Sequence, residues 1–151
     1  MHLRRKVLQQ VYGAAMQKVD LFKQCGDDFL AELMLKMRTE FAYPYAIIIH
    51  QGAIGDTMYI IRKGYGAVYR GKTRKDIQST VILGAGQAFG EIALLAEGVT
   101  RTASIVALDW VDLCLITRDD FQELMSLFPR YVFNLRMSQP CHLAFCLGCH
   151  L

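Results

Sequence analysis

The sequence has no stretch approaching the roughly 18 consecutive apolar residues that read as a membrane span. Met1 to Gln10 is a basic helical stretch without the apolar centre of a secretory signal. The chain therefore reads as soluble, with no direct membrane insertion of its own. Concentrated charge is missing too: the net charge is +3 and the basic residues are spread out. That argues against the localised patch nucleic acid requires and stays compatible with a small anionic ligand. With 53% hydrophobic and 21% charged residues, the chain is too rich in aromatic and β-branched side chains to be disordered. No two histidines and a carboxylate form the convergent triad of a metal-dependent oxygenase, and no nucleophile and base pair is evident. The reading is non-enzymatic, with no cofactor or metal. The five cysteines are an odd number. Cys25 and Cys114 lie in apolar stretches that suit small buried thiols, and a reducing, cytosolic setting follows.

What is present fits one compact unit, since 151 residues bury a single core with flanking helices but not two full domains. Leu3, Val7 and Val11 recur at helical spacing among Arg4, Arg5, Lys6 and Gln9, predicting a short amphipathic entry helix. Because the chain begins inside that pattern, it reads as a fragment or a short isoform. A second helix follows, with Asp27 or Asp28 as its cap and Leu30, Leu33, Met34 and Met37 on one apolar face. From Phe41 to Ile116 the pattern becomes short apolar runs: Ile47 to Ile49, Met58 to Ile61, Ala67 to Tyr69, Val81 to Leu83, Ala103 to Ala107 and Val111 to Ile116. Glycines fall between or beside these runs, where turns need positive φ or close backbone approach. Such a series predicts a mainly β fold, an antiparallel β-roll or jelly roll with flanking helices. Thr117 and Asp120 then form a capping-box-like start to a helix through Phe121, Leu124, Met125 and Phe128, stopped by Pro129.

One segment breaks the strand pattern. Phe89-Gly90-Glu91-Ile92-Ala93-Leu94-Leu95 is followed, after a loop, by Arg101-Thr102-Ala103-Ser104. A glycine opening a short helical turn presents unpaired backbone N–H groups as a seat for a phosphate, and Gly90, Ile92 and Ala93 are the candidates. Arg101, brought across on the next strand, has the planar fork to grip two phosphate oxygens. Glu91 supplies an acceptor suited to a ribose 2′-hydroxyl, and Thr102 a hydroxyl for phosphate or a purine edge. Of the glycines, only Gly90 has a clear ligand-related reason; those at strand ends are structural. His50, with no cysteine or acidic partner at metal spacing, reads as a structural histidine in an apolar strand. Tyr59, Tyr65 and Tyr69 read as core or rim aromatics.

Phe89 to Ala107 resembles the phosphate-binding cassette of the cyclic-nucleotide-binding domain family, and Ile48 to Gly64 is similar to that family's first signature. The resemblance covers about Val19 to Arg130. Within the family, Glu32 to Arg38, Met58 to Ile61, Asp112 to Leu115 and Asp119 to Pro129 are most similar to cyclic-nucleotide-gated and hyperpolarisation-activated cation channels. Arg101-Thr102-Ala103 also suits channels and cGMP-dependent kinases better than regulatory subunits of cAMP-dependent kinase. The resemblance implies binding of cAMP or cGMP, and base discrimination by Thr102 and the strand residues near Val68 and Val81. It further implies a place on the cytoplasmic side of a membrane, joined to the linker and transmembrane regions of a tetrameric channel. The alternative within the family is the regulatory domain of a cyclic-nucleotide-dependent kinase or exchange factor. A transcription regulator with the same roll needs a helix-turn-helix that the roughly twenty residues after Pro129 cannot supply.

The sequence departs from the family in two places. Pro44-Tyr45-Ala46 stands where channels usually have Pro-Gly-Asp, so that turn is expected to be built differently. The long closing helix meets Pro140, where an interior proline costs about 3 kcal/mol. Residues 1–18 are thus read as a partial linker helix, 19–130 as the binding domain, and 131–151 as an atypical lid region, truncated or disordered. Cys146-Leu147-Gly148-Cys149-His150 spells a haem-attachment motif, and with Cys141 and His142 a zinc cluster could be drawn. Without a cytochrome fold around it, this segment reads as a free, oxidation-prone tail.

Overall fold

The computed structural model describes residues 2–19, 22–71 and 81–131. The lid region beyond Tyr131, with its cysteine and histidine motif, lies outside them. Helix α1 spans His2–Gln17 and α2 spans Asp27–Lys36. The packed side of α1 is Leu8, Tyr12, Ala15 and Met16, an i, i+4, i+7, i+8 stripe. Leu3 and Val7 of the expected stripe face solvent. Leu8 and Tyr12 pack inward in their place, and Arg5 pairs with Glu32 of α2 at the edge of that contact. In α2 the cap position belongs to Gly26, which makes no side-chain cap bond. Asp27 and Asp28 sit instead in the first turn, where carboxylates favour the helix N-terminal dipole. Phe29, Leu30, Leu33 and Met34 are buried as the periodicity requires.

Among the described residues eight strands follow: β1 Arg38–Ala42, β2 Ile47–Ile49, β3 Thr57–Lys63, β4 Gly66–Tyr69, β5 Val81–Leu83, β6 Ala88–Phe89, β7 Ser104–Ala107 and β8 Val111–Thr117. They form two antiparallel four-stranded sheets, ordered β1-β8-β3-β6 and β2-β7-β4-β5, which is jelly-roll topology. Helix α3, Ile92–Leu95, interrupts the roll between β6 and β7, and α4, Arg118–Leu127, leaves it after β8. Strands β1 and β6 carry no usable periodicity. All of β1 except Ala42 is exposed, and β6 is two residues long.

Apolar residues on β3 and β8 alternate between two cores. Met58, Ile60, Cys114 and Ile116 face the helices with Phe29, Leu33, Phe121 and Leu124. Ile61, Val111 and Leu113 face the opposite sheet with Ile49, Phe89, Ile105 and Ala107. On the helical side, Arg62 lies 4.7 Å over the Tyr12 ring and 3.5 Å from Asp112, tying α1 to the roll.

The Pro44-Tyr45 turn keeps the geometry a glycine would have given it. Ala46 N–H donates to Tyr43 O at 3.0 Å, Pro44 takes the second position, and Tyr45 adopts φ 68°. This is a type II turn with tyrosine in the left-handed position. Thr117 caps α4 by accepting from Asp120 N–H, as its spacing predicts. After α4 ends, residues 129–131 are again helical. Pro129 thus opens a new turn, where its missing N–H costs nothing. The Tyr131 hydroxyl accepts the Gly26 N–H at 2.9 Å, and its ring meets Phe29 edge-on.

Candidate ligand-binding site

The loop between β2 and β3 and the stretch leading into β7 bind each other backbone to backbone. Gly52 N–H donates to Arg101 O at 2.7 Å, Arg101 N–H to Ala53 O at 2.8 Å, and Gly55 N–H to Val99 O at 3.0 Å. This fixes the Arg101 main chain, and its side chain then crosses the face of Gly55. Nη2 donates to Thr57 O at 2.5 Å, and Nη1 to Gly90 O at 3.4 Å. The guanidinium therefore spans the start of β3 and the glycine that opens the cassette.

Two glycines make that approach possible. Gly90 has φ 80°, and a β-carbon there would come within 2.6 Å of Arg101 Nη1 and 2.9 Å of Thr57 O. Gly55 has no such dihedral demand, yet a β-carbon on it would meet Arg101 Nε at 2.2 Å. Gly55 thus joins Gly90 in having a site-related reason, contrary to the expectation that the other glycines serve the strands alone. Its signal was weak in sequence because the contact is to a side chain 46 positions away.

The site is half-buried and electrostatically mixed. Burial pushes the Arg101 guanidinium below its ordinary value, while Tyr59, Asp56 and Glu91 oppose that shift and Arg118 adds to it. Glu91 is half-buried and interacts with Arg101 through its charge. Beyond it, Ala93 N–H closes onto Gly90 O at 3.2 Å and Leu94 N–H onto Glu91 O at 3.1 Å. Ala93 is buried and Ile92 half-buried. The structure thus brings Gly90, Glu91 and Arg101 together around one turn, with Ile92 and Ala93 continuing it. Thr102 is exposed beside Arg101. Val68 and Val81 are direct cross-strand partners on β4 and β5, and Val68 also pairs with Ile105 of β7. Val81 is 60% exposed, so its side chain is available at the surface of that sheet.

Arg118 was not singled out in the sequence, although its side chain reaches Ala93 O at 2.7 Å and Gly55 O at 2.8 Å. Nothing in its local pattern separates it from a solvated first-turn residue. His50 is exposed just past β2 and is no core histidine. Tyr59 stacks on Phe89 at 5.2 Å, and Tyr65 and Tyr69 line the rim. A groove of about 340 Å³ at the far end of β3, lined by Arg62, Lys63, Tyr65, Asp109 and Trp110 among others, shares no residue with the cassette. No helix among the described residues is long and apolar enough to cross a membrane.

Residues 41–127 match the family model described as "Cyclic nucleotide-binding domain". The chain is 33% identical over 133 residues to "Cyclic nucleotide-gated channel alpha-4" of Mus musculus, covering 85% of this chain and 23% of that protein. It is 34% identical over 132 residues to "Cyclic nucleotide-gated channel alpha-2" of Bos taurus, covering 84% of this chain and 20% of the relative. To the "Cyclic nucleotide-gated cation channel" of Ictalurus punctatus it is 33% identical over 132 residues, covering 84% and 19%. The chain spans about a fifth of the length of these curated relatives.

Proposed function

The chain belongs to the cyclic nucleotide-binding domain family, and on that premise we propose that it is the non-catalytic ligand-sensing module of a cation channel. The supporting observation is the seating of Arg101. A guanidinium has five N–H donors, and the bonds to Thr57 O and Gly90 O engage one each on Nη2 and Nη1. The remaining donors serve the exocyclic oxygens of a cyclic phosphate beside Gly90, Ile92 and Ala93. Glu91 takes the ribose 2′-hydroxyl, and Thr102, Val68 and Val81 flank the base of cAMP or cGMP. The module works on the cytoplasmic side of a membrane, attached to the linker and transmembrane parts of a tetramer. Residues 1–18 belong to that linker, 19–130 form the sensor, and 131–151 make an atypical lid.

Calorimetric titration with cAMP, cGMP and linear AMP tests this reading. Either cyclic nucleotide should bind with micromolar or weaker affinity, about −8 kcal/mol or less favourable, because a proline at position 140 disfavours a long continuous lid helix. AMP should not bind measurably. Arg101→Ala should cost about 2 to 5 kcal/mol by stranding the phosphate charge. Arg101→Lys should recover part of the loss, since an ammonium keeps the charge without the fork. Glu91→Gln should cost less, because an amide oxygen still accepts. Equal affinity for AMP and cAMP, or an Arg101→Ala variant that binds like the parent, refutes the assignment.

A further inference from the structure

Arg118 is the first residue of α4, directly after the Thr117 cap, and it serves three carbonyls of the site. Its backbone N–H donates to Asp56 O at 2.6 Å, its Nε to Ala93 O at 2.7 Å, and its Nη2 to Gly55 O at 2.8 Å. Both side-chain acceptors belong to the parts that hold Arg101. Gly55 lies beneath the Arg101 guanidinium, and Ala93 closes the turn on Gly90 O, the second acceptor of that guanidinium.

The position is electrostatically unfavourable. A cation at a helix N-terminus opposes the helix dipole, and Arg118 also repels the Arg101 charge. The two carbonyl bonds offset those costs. Helix α3 has four residues, too few to hold its own shape. Its last carbonyls have no partner within the helix, and Ala93 O is one that Arg118 satisfies.

We propose that Arg118 is a positioning residue of the nucleotide site, clamping α3 to the β2–β3 loop so that Gly90 and Arg101 face the ligand in fixed register. The idea rests on the reading of this cassette as a nucleotide site. Losing the clamp removes no ligand-facing group but lets the short helix and the Gly55 loop move independently. Lysine keeps the charge and reaches one carbonyl, but it has no planar fork to hold both.

The test compares Arg118→Ala, Arg118→Lys and a control, Arg38→Ala, which removes the exposed Arg38–Asp120 pair on the same helical turn. Hydrogen exchange is measured on each ligand-free chain, and cAMP and cGMP are titrated into each. Arg118→Ala should speed exchange at the Ala93, Leu94 and Ala96 amides and raise the dissociation constant, each by about tenfold, equivalent to about 1.4 kcal/mol. The β3 and β8 amides should stay protected, Arg118→Lys should fall between, and Arg38→Ala should match the parent. Parent-like exchange and affinity in Arg118→Ala overturn the inference. So does a loss of protection spread evenly over the roll. If Arg118→Ala fails to fold, Arg118→Lys decides, and parent-like exchange in it overturns the two-carbonyl clamp. If the parent binds neither nucleotide, the nucleotide reading fails, while selective exchange in Arg118→Ala still supports the clamp and its absence still overturns it.

Discussion

Replacing Gly55 by alanine should leave the protein folded and weaken nucleotide binding. A methyl group there would lie 2.2 Å from Arg101 Nε, 2.3 Å from Cζ and 2.7 Å from Nη2. Non-bonded heavy atoms prefer about 3.5 Å or more, so the guanidinium must withdraw by more than about 1 Å. The three nearest atoms all belong to Arg101, and Gly55 has no left-handed dihedral to violate, so the side chain yields and the backbone does not. Alanine also gains about 0.4 to 1 kcal/mol by restricting the unfolded chain. Against this stands the short bond from Nη2 to Thr57 O, a charge-assisted bond of about 1.5 to 3 kcal/mol that the half-exposed guanidinium partly recovers from water. The two effects nearly cancel, and the melting temperature should shift by only a few degrees. Binding has no such compensation, because a displaced fork meets the phosphate as a misaligned charge. The loss should approach but not exceed the about 2 to 5 kcal/mol expected for removing the arginine. Calorimetric titration with cAMP and cGMP, paired with thermal unfolding, reads both quantities. Parent-like affinity in a folded Gly55→Ala chain would show that the guanidinium seat over Gly55 does not orient the ligand.

Two further outcomes follow from features away from the cassette. Tyr45→Gly should stabilise the chain by about 0.5 kcal/mol, since relief of left-handed strain of about 1 to 2 kcal/mol exceeds the added unfolded-state entropy of about 0.5 to 1 kcal/mol. Tyr45 is 68% exposed, so little burial is lost, and a lower unfolding midpoint in urea would contradict the strain. Burial pushes the Cys25 and Cys114 thiols from 9.0 up to about 11. Folding keeps them neutral, so the stability they contribute is complete below pH 9.0 and is lost as the pH rises towards about 11. Peptide-resolved alkylation of the folded chain at pH 8 should leave both cysteines slow to react, and labelling as fast as free cysteine would refute their burial.

The sequence foretold most of the roll because its central strands are apolar and its turns carry glycine. β1 escaped notice because nearly all its side chains face solvent, leaving pairing with β8 as its only mark. β6 was too short for any period. The entry helix was legible as a helix but its inward side was not, since Leu3, Val7, Leu8 and Tyr12 all read as apolar until the packing against α2 and the roll selects Leu8 and Tyr12. In the site, Gly90, Glu91 and Arg101 are close to one another in sequence and were readable together. Gly55 and the Thr57 carbonyl enter from the β2–β3 loop and the start of β3, and Arg118 from α4, and the three side-chain bonds that join them to the cassette all end on backbone carbonyls that carry no sequence identity.

Because β3 and β8 are central strands that present apolar side chains to a core on each face, a polar substitution at most of their positions would be buried on one side of the sheet or the other. At their buried positions the least costly substitution exchanges one apolar residue for another of similar volume, and the half-buried Arg62 and Asp112 stand 3.5 Å apart as an ion pair. Exposed strands such as β1 and β5 are under no such restriction. The margins of the roll can therefore take polar changes at little cost in stability, whereas its central wall cannot.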